Sequence, residues 1–150
     1  MQAQGLDKYG VRVHGISRPE WIVKEVSHLT PEENKGKHHI YVDALDENGK
    51  RVDGAMLNWG WDGGGEQPAI KMDKPTNEPM CNIPVYRGQT IAVWMGNDSD
   101  VVTGLHTLHP DELGPNGEKW NSMGHHSFYI CFQKVGQAAK KVCACCGKEL

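Results

Sequence analysis

"KGKHHIYVDALDENGKRVDGAMLNWGW", residues 35–61, is the stretch on which the reading of the fold turns. Residues 35–46 lead into a strand rich in apolar and β-branched residues. Asn48-Gly49 follows, the dipeptide that most readily takes the positive φ angles of a tight hairpin. Residues 51–61 are then expected to return antiparallel.

The same signals recur outward from there. Residues 21–29, "WIVKEVSHL", read as a strand by β-branched content and imperfect alternation. In "TPEEN" (30–34) Thr30 suits an N-cap, Pro31 the first helical position and Glu32–Glu33 the first turn, so one short helical turn is expected. Residues 62–68 form a glycine-rich turn and 69–74 a short strand. Residues 75–84 read as an irregular, proline-pinned crossing. Residues 89–96, 100–108 and 125–135 read as further strands, with Trp94 and Cys131 expected in the core. Residues 109–124 form a long loop, and loops of that length tend to carry function. Some eight strands with almost no helix signal predict an all-β, antiparallel Greek-key β-sandwich or jelly roll. Residues 1–19 read as an N-terminal arm, 20–135 as the sandwich binding domain and 136–150 as a cysteine-containing C-terminal extension.

The bulk composition narrows the function. A chain of 150 residues is most simply one domain with a substantial core. Its net charge of −3 and pI near 6.2 leave no global basic field, so a nucleic-acid partner is not expected. No apolar run reaches membrane-spanning length and the first residues carry no signal-peptide h-region, which predicts synthesis in the cytoplasm and no membrane partner. Five cysteines, an odd number, do not suggest a secreted disulfide framework.

Four of the eight histidines fall in "GLHTLHPDEL" (104–113) and "MGHHSFYICF" (123–132). A metal needs three or four imidazoles or carboxylates converging on one point. Of the adjacent pair His125 and His126, at most one can join such a site, because neighbours on a strand face opposite sides. His106, His109 and His125 form the reserve metal set, and scaffold or rim roles are the primary reading. The paired carboxylates at 32–33, 46–47 and 111–112 lie in polar turns and read as solvated.

Trp59 and Trp61 sit two apart at a strand end, with Asp62 and a glycine turn beside them, and Trp120 lies in the long loop. An indole offers a face to the C–H surface of a pyranose, and a carboxylate binds its hydroxyls. Trp59, Trp61, Asp62 and Trp120 are therefore the candidate glycan-binding residues. Cys143-x-x-Cys146-Gly-Lys has the form of half a zinc knuckle, so zinc at this tail is the one cofactor considered; otherwise none is expected. No G-x-S-x-G elbow or phosphate-cradling loop is present.

Taken together, "VSHLTPEENKGKHHIYVDALDENGKRV", "DKPTNEPMCNIPVYRGQTIAVWM", "DVVTGLHTLHPDE" and "GHHSFYICFQ" resemble a carbohydrate-binding-type β-sandwich accessory domain found with bacterial glycan-active and peptidoglycan-active proteins and with phage proteins. The resemblance spans roughly residues 20–135. It implies a non-catalytic accessory or capsid decoration protein at a virion surface, with capsid subunits, further copies of itself or a carbohydrate as partners. Two alternatives stand beside it: a cupin-like, metal-dependent jelly-roll enzyme using the histidines, and a purely structural self-assembling protein.

Overall fold

The computed structural model describes residues 2–135. These form two packed sheets. One has five strands in the order β1 (Arg12–His14), β8 (Val101–Leu105), β7 (Ile91–Trp94), β4 (Ala55–Trp61) and β5 (Gly65–Met72). The other has four, in the order β2 (Trp21–His28), β9 (Phe128–Lys134), β3 (His39–Leu45) and β6 (Cys81–Pro84). The expected β-sandwich is thus present, with nine strands rather than about eight among the described residues. The additional strands come from segments read otherwise. Residues 12–14 of the N-terminal arm pair antiparallel with β8, and residues 81–84 of the proline-pinned crossing pair with β3. One pair, β3 with β9, is parallel.

The stretch that decides the fold holds a surprise. The turn at Asn48-Gly49 forms: Leu45 bridges Arg51, the Asp46 amide donates to the Lys50 carbonyl at 2.7 Å, and Gly49 has φ +84°. The hairpin does not continue, however. Both edges of β3 are already occupied, by β9 and β6, so the chain turns again at Gly54 (φ +88°) and runs β4 in the opposite sheet. Such a turn fixes local geometry over a few residues, while strand partners are chosen by packing.

The expected helical turn is α1 (Pro31–Asn34), closed by a full capping box. The Thr30 side chain accepts from the Glu33 amide, and the Glu33 carboxylate accepts from the Thr30 amide at 2.9 Å. The core lies between the sheets. In β3, Ile40, Val42 and Ala44 alternate inward and stand opposite Phe128, Ile130 and Phe132 of β9. Leu57, Ile91, Val93, Val102 and Leu105 face them from the other sheet. Cys131 is buried as expected, whereas Trp94 is half-buried on the outward side of β7 instead of in the core. The sheets are also joined by hydrogen bonds at one edge. Buried Asp100 accepts from the Val23 amide at 2.9 Å, and its own amide donates to the Trp21 carbonyl at 3.0 Å.

Gly104 decides how closely the N-terminal arm approaches. It has φ +79°, and a Cβ built there would collide with the carbonyl oxygen of Gly10. Gly104→Ala is expected to cost about 2–3 kcal/mol, from the left-handed backbone and the displaced arm. Urea unfolding measures this, and an unchanged midpoint would contradict the close approach.

Candidate functional site

Three segments meet at the end of the sandwich where β2 and β8 finish and β9 begins. The first is a 3-10 turn, Asp7–Tyr9, stopped by Gly10 in the left-handed conformation. The second is His28, the last residue of β2, opposite Phe128. The third is the long loop from His106 to Ser127. That loop is ordered by its own contacts. Leu113 bridges Lys119, the Trp120 amide donates to the Glu112 carbonyl at 2.7 Å, and the Met123 amide donates to the Asp111 carboxylate at 2.8 Å. Buried Asn121 pins it from below, donating to the Leu29 carbonyl at 3.0 Å and accepting from buried Asn34 at 3.0 Å.

The centre of this region is a group of rings around one carboxylate. Tyr9 stacks on His28 with centroids 3.8 Å apart and donates its hydroxyl to Glu112 Oε2 at 2.8 Å. His28 Nε2 lies 2.9 Å from Nδ1 of His126, which is fully buried. His126 Nε2 lies 3.2 Å from the Pro110 carbonyl, an oxygen that can only accept. That bond assigns the proton of neutral His126 to Nε2, so Nδ1 accepts and His28 Nε2 donates to it. Glu112 Oε1 stands 3.9 Å from His28 Nε2 and 3.8 Å from His126 Nδ1, and accepts from Asn121 at 3.1 Å.

Burial sets the charges. It pushes His28 down to about 4, against the opposing pull of Glu112. It also pushes His109 down to about 4, with the neighbouring imidazoles adding to the effect, and it lowers His126. Burial alone would raise the Glu112 carboxyl, but hydrogen bonds from Tyr9 and Asn121 and the nearby histidines outweigh it and hold the group below the usual range. Near neutral pH the group is a carboxylate facing neutral imidazoles.

The histidines read from the sequence as a metal set are divided by the structure. His106 and His109 stack with centroids 4.1 Å apart beside the ring group. His125 turns the other way, towards the Ser122 hydroxyl at 3.1 Å and the ring of His38. Of the neighbouring pair it is His126 that enters the site, and among the described residues the atoms close enough to share one ion belong to His28, Glu112 and His126. The acids at 111–112 are likewise not simply solvated, because Glu112 is the hub. His28 and Glu112 escaped the sequence reading for want of a local signal, since one ends a strand and the other sits in a polar turn. Tyr9 arrives from an arm with no pattern pointing to it.

In front of the ring group lies a cleft of about 520 Å³ lined by Lys8, Tyr9, His109, Asp111, Glu112 and Trp120, among others. Trp120 is 43% exposed, its indole nitrogen donating to Glu118 at 3.2 Å. Of the four residues read as a glycan face, Trp120 alone lines this cleft. Trp59 and Trp61 are half-buried and pack against the core; Trp59 donates to the Pro68 carbonyl at 3.1 Å and Trp61 covers the turn at Gly63–Gly64. Exposed Asp62 begins that turn, which leaves the same end of the sheet but two strands from β8, roughly 10 Å at ordinary strand spacing. Cys143 and Cys146 lie outside the described residues. Comparison with known proteins returns no matching family model, and no match among curated proteins or solved structures.

Proposed function

We propose that the protein is a non-catalytic β-sandwich binding protein that takes a carbohydrate in the cleft between its N-terminal turn and the 109–121 loop. The observation that carries this reading is the exposed Trp120 indole in a cleft with the carboxylates of Asp111 and Glu112, the Tyr9 ring and the Lys8 ammonium. That combination matches a sugar: a ring face for its C–H surface, acceptors and a donor for its hydroxyls. The rigid sandwich holds the loop that presents them. Cys81 and Cys131 are buried, with Cys81 pushed up to about 12, so neither is an activated nucleophile. A place at a virion surface, with capsid subunits or further copies of the chain as partners, belongs to the same proposal and is supported by the sequence resemblance alone.

Screening against a glycan array, followed by titration of the best ligand, tests it. Trp120→Ala should weaken binding at least about tenfold, or 1.4 kcal/mol, with an unchanged melting curve. Trp59→Ala should lower stability through its core contacts and leave affinity intact wherever the protein remains folded. Binding that survives Trp120→Ala, or a catalytic turnover of the bound sugar, would overturn the reading.

A further inference from the structure

Beyond sugar binding, we propose that His28 Nε2, His126 Nδ1 and Glu112 Oε1 form a site for a divalent transition metal of the zinc type. The three atoms are separated by 2.9, 3.9 and 3.8 Å. A point equidistant from them lies about 2.1 Å from each, the bond length zinc makes to imidazole nitrogen and carboxylate oxygen. The three donor atoms already stand at the mutual spacing that one shared ion requires. Two nitrogens and one carboxylate oxygen suit zinc and its first-row neighbours, whereas calcium and magnesium require shells made of oxygen.

The surroundings are those of a ligand set held in advance. A metal-binding imidazole commonly donates its second N–H to a carbonyl or carboxylate, and His126 Nε2 meets the Pro110 carbonyl at 3.2 Å. The Glu112 carboxylate is oriented through both oxygens, by Tyr9 at 2.8 Å and Asn121 at 3.1 Å, and Asn121 is itself fixed by Asn34. In the metal-free protein the two nitrogens share one hydrogen, carried on His28 Nε2 and donated to His126 Nδ1. When the metal takes His28 Nε2, the hydrogen moves through solvent to His28 Nδ1, so the imidazole stays neutral and releases no net proton.

A second, separate observation points to a missing partner. His109 is 8% exposed, its ring is 5.4 Å from that of His126, and its Nε2 is buried without any hydrogen bond. Unpaired buried nitrogens are uncommon and ask for an explanation. Three protein ligands leave at least one coordination position for water, and a metal-bound water supplies the partner that His109 lacks. Glu112 belongs to both the triad and the cleft wall, which gives the ion a route in.

The test uses the full chain carrying Cys143→Ser, Cys145→Ser and Cys146→Ser, so that tail thiolates contribute nothing, stripped with chelator and titrated with zinc and with cobalt(II). One ion per chain is expected, with a weak nitrogen- and oxygen-type cobalt spectrum and a raised melting temperature. In proton NMR the zinc-bound form should shift the ring signals of His28 and His126 and leave those of His14 unmoved. Glu112→Gln should weaken zinc at least about tenfold, and Tyr9→Phe about tenfold through the orienting bond alone. No zinc uptake at a large excess would overturn the proposal. So would unchanged affinity in Glu112→Gln, or an ion lost on His106→Gln while the His28 signals stay still. If Glu112→Gln fails to fold, the NMR shifts in the unmutated site still decide the matter.

Discussion

Phe128→Ala is expected to lose about 3–5 kcal/mol of stability, among the largest effects of any single substitution in this chain. Phe128 is 1% exposed, opens β9, and stands between Ile40 of β3 and His28 of β2. Its ring also meets Tyr9, His28 and His109 edge-on, with centroids 5.9, 5.3 and 6.2 Å away. Truncation therefore opens a cavity where the core touches the ring group, and the sheets cannot close it because both neighbours are paired along their length. A second consequence separates this site from a generic core position. With the supporting ring gone, water reaches His28 and His109, and their depressed pKa values should move back towards 6.5. Phe132→Ala, at a fully buried position four residues along the same strand, should match the stability loss and leave those two histidines unchanged. Urea unfolding and histidine NMR titrations read the two effects. Equal histidine shifts in both variants would show that Phe128 supports the ring group no more than any core residue does.

Acid should destabilise the metal-free protein well above the carboxylate range. His28 and His109 take up a proton near pH 4 in the folded state and near 6.5 when unfolded. Between those values the unfolded chain binds more protons, so stability is complete above pH 6.5 and falls as pH drops towards 4. Each full shift is worth about 3 kcal/mol, of which about 2 is lost by pH 4.5. Charging one imidazole disfavours charging its neighbour, so the pair together gives about 3–4 kcal/mol, roughly a 10 °C fall in melting temperature between pH 7 and pH 4.5. Glu112 acts in the same direction, since its lowered pKa is a contribution lost on acidification. His109→Gln removes one of the titrating groups and should flatten the acid limb. A melting temperature constant from pH 7 to 4.5 in the presence of chelator would contradict the buried, neutral state of these rings.

How much of this was legible in the chain can be read from single residues. The strand content, the capping box of Thr30 and Glu33, and the turn at Asn48-Gly49 are local matters, set by side-chain period, by one hydroxyl three residues from one carboxylate, and by a glycine that tolerates positive φ. Residues 12–14 and 81–84 gave little strand signal of their own, because short edge strands are made by the neighbours they pair with.

The candidate site shows the same division more sharply. Its histidine-rich loop and exposed Trp120 could be picked out by residue type and context, whereas His125 and His126, expected to open the last strand, lie in the loop before β9 and part there through their own side-chain contacts. The partners could not be picked out. Tyr9 and Glu112 are 103 residues apart, and His28 and His126 are 98 apart, and each pair meets at hydrogen-bond distance. The sequence by itself determined an all-β chain with its turns and its stock of rings and carboxylates. Only the tertiary structure decided that β4 leaves β3 for the other sheet and that one glutamate gathers two imidazoles. Strand partners and ligand sets are long-range choices, settled by which packing buries the core and satisfies its polar groups, and no local pattern encodes that competition.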